Sequence, residues 1–292
     1  MNTSPKNVES IFNPPPVHMV GDGFRVHNFI PGIPQLSMQR MDPFIMLDYN
    51  SRYYFPPTDN PRGVGVHPHR GFETVTIAYH GRIAHHDSHG HSGTIGEGEV
   101  QWMTAAGGVL HKEYHEREFS KLGGDFQMVQ LWVNLPAANK MDKPSYQAIT
   151  RDNIRQITLD NVRIELIAGR FREWTGPAKT HSEINMANVM MNADAELALE
   201  YPSTFNTCLL VIEGEITIND THKAVANQLV LMKNDGESFV LKAQKNSIVL
   251  VLSAEPIKEP IAAHGPFVMN SRAELIQAFE DFQDGKFGAL ED

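Results

Sequence analysis

The sequence contains a single cysteine, Cys208, which lies within the apolar run 208–212. One cysteine excludes an intramolecular disulfide and a zinc site built from cysteines, and in an apolar segment it is expected to be buried and structural. The N-terminal residues lack the apolar core of a secretion signal. Because no apolar run is long enough to cross a bilayer either, the sequence predicts a cytoplasmic protein that does not associate with membranes.

Basic residues are also scarce, since 25 lysines and arginines stand against 35 aspartates and glutamates, giving a formal net charge of −10. Excess negative charge disfavours general binding to nucleic acids or anionic lipids. We therefore expect no direct nucleic-acid binding, whereas a protein partner remains possible. The sequence has no glycine-rich dinucleotide loop, no P-loop and no G-x-S-x-G nucleophile motif.

Histidine, in contrast, is concentrated in one part of the chain, because nine of the fourteen histidines lie between residues 67 and 115. One pair two residues apart is His67 and His69, and a second is His111 and Glu113. Residues two apart on a strand share a face, so two adjacent strands can bring three imidazoles and one carboxylate to one point. Such donors suit a divalent transition metal better than Mg²⁺ or Ca²⁺. The predicted metal ligands are therefore His67, His69, His111 and Glu113.

Other residues near this stretch are weaker candidates. Glu73 lies four residues after the first histidine pair and is the main rival to Glu113 as the carboxylate ligand. The four histidines within 85–91 could form a second metal site, but the glycines beside them favour a mobile, solvated hairpin at the entrance to a pocket. His80 and His115 are expected to be exposed.

Short strand-like segments separated by turn residues fill most of the chain, which indicates a β-sandwich or β-barrel. Residues 1–16 are polar and rich in proline, so we expect them to form a loosely held arm. Only 271–282 has a clear helical pattern, in which Ser271 is the predicted N-cap and Glu274 follows three residues later.

The two halves of the chain resemble each other, and this similarity predicts a tandem repeat. Residues 76–83 resemble 209–216, and aligning their glycines places Glu200 and Pro202 opposite the first histidine pair. The second half therefore lacks the ligands, and we expect only the first half to bind metal. The predicted boundaries are 17–140 for the metal-binding domain, 141–157 for a connector, 158–265 for the second domain and 266–292 for a helical tail.

The chain closely resembles the pirin family of the cupin superfamily from about residue 20 to residue 285. The motifs that carry the resemblance are HPHRGFET (67–74), HDSHGHSG (86–93), VQWMTAAGGVLHKE (100–113), QLWVNLP (130–136), MDPFIMLDY (41–49) and HGPFVMNS (264–271). The resemblance implies an all-β fold of two tandem cupin (jelly-roll) β-barrels, with a short C-terminal helix packed back on the first barrel. It also implies that the four iron ligands fall on the predicted residues and that only the N-terminal barrel binds the ion.

Our leading hypothesis is a quercetin 2,3-dioxygenase-like enzyme that holds one divalent ion, with Fe²⁺ favoured, and cleaves a flavonol such as quercetin with O₂. Four protein donors leave two positions of an octahedral ion for O₂ and a substrate oxygen, and Glu113 is the candidate catalytic base. Ni²⁺, Mn²⁺, Zn²⁺ or Cu²⁺ could replace iron. The alternatives are a non-catalytic iron or redox sensor that acts through a protein partner, and a metal-dependent isomerase or hydrolase.

Overall fold

The computed structural model describes residues 4–291, which are mainly β-strands. The first twelve strands are β1 (Val8–Phe12), β2 (His18–Val20), β3 (Phe24–Ile30), β4 (Phe44–Phe55), β5 (Gly63–His69), β6 (Phe72–His80), β7 (Ile83–Asp87), β8 (Ser92–Ile95), β9 (Val100–Thr104), β10 (Val109–His115), β11 (Gly124–Asn134) and β12 (Ser145–Ile149). The others are β13 (Arg155–Leu159), β14 (Val162–Ala168), β15 (Arg170–Phe171), β16 (Trp174–Thr175), β17 (Ile184–Met191), β18 (Glu196–Glu200), β19 (Asn206–Glu213), β20 (Glu215–Ile218), β21 (His222–Val225), β22 (Leu229–Met232), β23 (Ser238–Ala243), β24 (Ser247–Ala254), β25 (Ala262–His264) and β26 (Phe267–Met269). The α-helices are α1 (Met38–Met41), α2 (Arg117–Leu122) and α3 (Arg272–Gln283), and two short 3-10 helices span Pro34–Leu36 and Ala137–Asn139.

The chain forms two compact units, which we call the first and second barrels. The first barrel consists of Pro15–Gln39, Pro43–Asp152 and residues 257–291, whereas the second consists of Asn153–Pro256, Arg40–Asp42 and residues 4–14. No helix among residues 4–291 is long and apolar enough to cross a membrane.

The first barrel contains a seven-stranded sheet, in the order β12-β9-β6-β11-β4-β3-β2, and a four-stranded sheet, β5-β10-β7-β8. In the smaller sheet β5 and β10 pair antiparallel, so that His67 lies opposite His111 and His69 lies opposite Val109. The strand with His67 and His69 and the strand with His111 and Glu113 are therefore neighbours, as the sequence predicts.

The second barrel repeats this arrangement, with a seven-stranded sheet, β1-β22-β19-β24-β17-β14-β13, and a four-stranded sheet, β18-β23-β20-β21. Its β18–β23 pair corresponds to β5–β10 in sheet order, but Leu199 lies opposite Phe239 and neither strand contains a histidine. Both side chains are buried in one large apolar core. Within the described residues this barrel has no cluster of three metal-ligating side chains. Its interior is a packed core, each large apolar side chain of which contributes about 1.5–3 kcal/mol.

The N-terminal segment differs from the prediction of a loose arm, which was wrong for residues 4–12. Strand β1 pairs with β22, and Val8 is buried in the second barrel. The buried Lys6 ammonium donates to the Lys233 carbonyl at 3.0 Å. The prediction was wrong because prolines 14–16 give the segment a loop-like composition, whereas the partner strand of β1 lies more than 200 residues away. Residues 1–3 lie outside the described part of the chain.

The C-terminal helix α3 packs on the first barrel, which confirms the predicted architecture. Ser271 is its N-cap and accepts a hydrogen bond from the Glu274 backbone N–H. The Arg70 guanidinium, one residue after β5, donates to the Asp281 carboxylate of α3 at 2.7 Å and lies 4.7 Å from the centre of the Phe287 ring. The helix and the tail after it are thereby fixed next to the strand that carries His67 and His69.

Candidate metal centre

The structure brings together three of the four predicted ligands. The potential ligand atoms of His67, His69 and His111 all lie within 4.8 Å of one another. Their ring centres are 4.2–4.8 Å apart. The cluster follows from strand geometry, because His67 and His69 share a face of β5 and His111 is the direct cross-strand neighbour of His67.

The chemical state of the cluster fits a bound cation. Burial, followed by repulsion from the His67 ring, holds the pKa of His69 and of His111 well below 6.5, so both imidazoles are neutral. Among the described residues, His69 Nδ1 and His111 Nε2 are buried without a hydrogen-bond partner. The His67 Nδ1 atom bonds the Gly65 carbonyl at 2.8 Å, which leaves Nε2 available. Buried unpaired nitrogens are rare in proteins, and a metal ion would satisfy all three.

Glu113 lies on the same side of β10 as His111 but is not a member of the three-histidine cluster. Its Oε1 atom accepts hydrogen bonds from the Thr76 hydroxyl at 2.9 Å and from the Gln101 amide. Its Oε2 atom accepts one from the Gln130 amide at 3.3 Å. These donors fix the carboxylate beside the histidines; its role as the fourth ligand stays a prediction.

The rival carboxylate, Glu73, is buried on β6 and accepts a hydrogen bond from the Thr104 hydroxyl at 2.7 Å. Glu113 lines the cavity that contains His67 and His69, whereas Glu73 is not among the described residues that line it. The geometry therefore favours Glu113 over Glu73 as the carboxylate next to the cluster.

His85 and Asp87 are not part of a solvated hairpin, so this prediction was wrong for them. His85 is 1% exposed and stacks on Tyr146 with ring centres 5.1 Å apart. Its Nδ1 atom lies 3.4 Å from His111 Nδ1. The glycines of the following turn suggested mobility, but Tyr146 of β12 covers this segment.

Asp87 lies behind His85 and carries a firmly ionised carboxylate. Its Oδ2 atom lies 3.6 Å from His85 Nε2 and 2.9 Å from His91 Nδ1. Its Oδ1 atom accepts from the backbone N–H groups of His89 and His91. Burial alone would raise the Asp87 pKa, but the adjacent His85 ring and the hydrogen bonds from His91 and the His89 backbone lower it to about 2.

The two histidines that were predicted to be exposed, His115 and His80, differ from each other. His115 is fully buried among phenylalanines, bonds the Gly23 carbonyl at 2.8 Å and has its pKa lowered by burial to about 4. The prediction that it is exposed was wrong, although it shares the strand parity of His111 and Glu113, a signal that could have identified it. His80 is partly buried and lies 3.1 Å from Glu97.

A cavity of about 340 Å³ adjoins the cluster. Its wall is mainly apolar, with three polar side chains besides the histidines: Asp48, Gln130 and Glu113. Its lining residues are Val20, Phe24, Val26, Met46, Asp48, Val64, His67, His69, Glu113, Met128, Gln130, Trp132, Gly265 and Pro266. An apolar pocket with a few polar groups at this volume is typical of small-molecule sites, which measure about 300–1,000 Å³.

Comparisons with known proteins agree with the fold and the site. Residues 23–133 match the family Pirin, and residues 186–288 match the Pirin C-terminal cupin domain. The chain is 45% identical to PA2418 of Pseudomonas aeruginosa, provisionally named a quercetin 2,3-dioxygenase, over 97% of this chain and 98% of that protein. It is 35% identical to a pirin-like protein of Solanum lycopersicum, covering 92% and 88%. The crystal structure of quercetin 2,3-dioxygenase from Acinetobacter baumannii superposes with a TM-score of 0.93 at 43% identity, covering 99% and 100%.

Proposed function

This chain belongs to the pirin family, and from that premise we propose that it is a metal-dependent dioxygenase that cleaves a flavonol such as quercetin with O₂. The observation that carries the proposal is the cluster of His67, His69 and His111 beside a mainly apolar cavity. The names of the relatives from P. aeruginosa and A. baumannii support the substrate class. The cytoplasmic location stays a prediction.

In this proposal His67, His69 and His111 hold the ion, Fe²⁺ being the favoured occupant, and Glu113 completes the set. When bound, the ion would supply the redox and Lewis-acid chemistry that activates O₂ and acidifies the substrate hydroxyl. Ni²⁺, Mn²⁺, Zn²⁺ or Cu²⁺ would find the same donors, because such ions compete largely by availability.

Glu113 is proposed as the base that takes the proton from the reacting hydroxyl group. Thr76 and Gln101 both donate hydrogen bonds to Oε1, whereas among the described residues only Gln130 donates one to Oε2. The second oxygen is therefore better placed to accept a proton. The apolar wall, with Trp132 stacked on Phe72, excludes bulk water and orients an aromatic substrate.

An aerobic assay of Fe²⁺-loaded protein with quercetin, which follows both substrate loss and O₂ uptake, tests this function. We expect turnover by the wild-type protein and by His222→Ala, a change at an exposed histidine of the second barrel. His67→Ala should abolish turnover. A wild-type rate no higher than that of His67→Ala would refute the dioxygenase.

A non-catalytic iron or redox sensor is the second candidate, and the filled core of the second barrel favours it, since that barrel is free to serve as an interaction module. Affinity purification with Fe²⁺-loaded and Fe³⁺-loaded protein separates the candidates. Identical sets of bound proteins would count against sensing.

We predict that Asp87→Asn weakens metal binding about 10-fold, as expected when the partner of a metal-bound histidine is altered. Ionised Asp87 favours the proton on His85 Nε2, which leaves His85 Nδ1 to accept from His111 Nδ1 and presents His111 Nε2 to the ion. Titration with Zn²⁺ against a chelator measures the change. The control is Asp142→Asn, at an exposed position, and equal affinity of the two variants would contradict the prediction.

A further inference from the structure

Asp48 places a carboxyl group in a cavity wall that is otherwise mainly apolar. It lies in the middle of β4, and the residue two positions earlier on the same face, Met46, is apolar. The proposed metal chemistry gives Asp48 no role. Burying a carboxyl group in such surroundings costs free energy unless it is hydrogen-bonded. The position of Asp48 therefore suggests a functional role.

The position of Asp48 becomes clear from the strand register. Across the larger sheet of the first barrel, Asp48 lies between Asn28 of β3 and Gln130 of β11. The row continues through Thr76 of β6 to Gln101 of β9. A single line of polar side chains thus crosses five strands. Gln101, Thr76 and Gln130 all bond Glu113 at one end of it.

Apolar side chains flank this polar row within the cavity. On β11 the same-face neighbours of Gln130 are Met128 and Trp132, and both line the cavity. A flat aromatic ligand that reaches from the histidine cluster would pass over Gln130, and its far end would reach Asp48 on the next strand. The row of polar side chains therefore offers a ligand hydrogen-bonding groups along one line of a mainly apolar cavity.

The hydrogen bonds of Asp48 leave one oxygen for a ligand. Oδ1 accepts from the Asn28 amide at 2.7 Å, and among the described residues no side chain or backbone N–H donates to Oδ2. Burial raises the Asp48 pKa, although the hydrogen bond from Asn28 and the nearby His18 oppose that effect. A substrate hydroxyl that donates to the open oxygen would compensate for the burial.

Building on the proposed function, we propose that Asp48 is a specificity residue. It accepts a hydrogen bond from a phenolic hydroxyl remote from the reacting one. The cavity then selects uncharged, polyhydroxylated aromatic enols. It rejects analogues that carry a carboxylate at the far end, because two carboxylates in one partly buried pocket repel each other.

The test compares quercetin with 3-hydroxyflavone, which keeps only the reacting hydroxyl. For the wild-type protein we expect kcat/KM to be at least about 10-fold higher with quercetin, since a site built around a substrate hydroxyl discriminates against its absence. In Asp48→Asn this preference should shrink about 10-fold, mainly through KM, because a charged acceptor is replaced by a neutral one. The loss should fall on quercetin rather than on 3-hydroxyflavone, because 3-hydroxyflavone lacks the remote hydroxyl.

Binding measured without turnover separates this proposal from the proposed function. Quenching of tryptophan fluorescence, to which Trp132 in the cavity wall contributes, gives the affinity of metal-free protein for both flavonols. Asn28→Ala, which frees Oδ1, serves as a second variant, and Asp59→Asn, at an exposed position, is the matched control. An unchanged quercetin preference in Asp48→Asn would overturn the proposal. If Asp48→Asn lost the preference for quercetin in binding while none of the proteins turned over either flavonol, the dioxygenase function would be refuted. The specificity role of Asp48 would then stand on the binding data.

Discussion

Replacing His111 with alanine should lower the affinity for divalent metal more than about 100-fold. The change removes a fully buried imidazole, the proposed ligand, whose Nε2 atom has no hydrogen-bond partner among residues 4–291. Altering only the partner of a metal-bound histidine costs 10–100-fold, so loss of a direct ligand must cost more. Two histidines and one carboxylate would remain, and they would hold the ion weakly.

Thermal unfolding with and without added Zn²⁺ provides a readout that does not depend on activity. An ion at 100 times its Kd stabilises the folded state by about 2.7 kcal/mol, so the Tm of the wild-type protein should rise. His111→Ala should gain almost nothing, whereas His222→Ala should behave as the wild type. An equal rise in Tm for His111→Ala would show that the ion binds elsewhere. If none of the proposed divalent ions raised the wild-type Tm, the metal centre itself would be refuted.

The histidine cluster could be predicted because it depends mainly on the spacing of residues that are close together in the sequence. The i, i+2 spacing fixes which side chains share a strand face, and a single assumption, that the two strands are adjacent, completes the triad. The same parity rule applies to His115, which continues the line of His111 and Glu113 on β10. The same rule therefore predicts that His115 is buried.

Other features depend on contacts that no local pattern contains. His85 is buried because Tyr146, which is 61 residues later in the chain, stacks on it. Strand β1 exists because β22 offers an edge. Asp48 joins the polar row only through the register of β4 with β3 and β11. Register is set by turns and bulges across the whole sheet, so the row of polar residues emerges only from the assembled barrel.

Lys140→Met should be the most destabilising single change in the first barrel outside its apolar core, at about 3–5 kcal/mol. The buried ammonium donates to the Gly71 carbonyl at 2.7 Å, to Asn134 Oδ1 at 2.6 Å and to the Val268 carbonyl at 3.0 Å. Methionine fills a similar volume but leaves these buried acceptors without their donor. At this size of domain the expected fall in Tm is about 10 °C.

The same change should also weaken substrate binding, because Lys140 joins two segments that shape the site. Gly71 follows the strand of His69, and its positive φ of 87° lets the backbone approach the Val268 carbonyl, where a Cβ atom would overlap it. Pro266, two residues before Val268, lines the cavity. Its backbone carbonyl accepts a hydrogen bond from the His69 ring. The control is Lys143→Met, at an exposed position. If Lys140→Met lost no more stability than that control, the three hydrogen bonds would not hold the cavity wall in place.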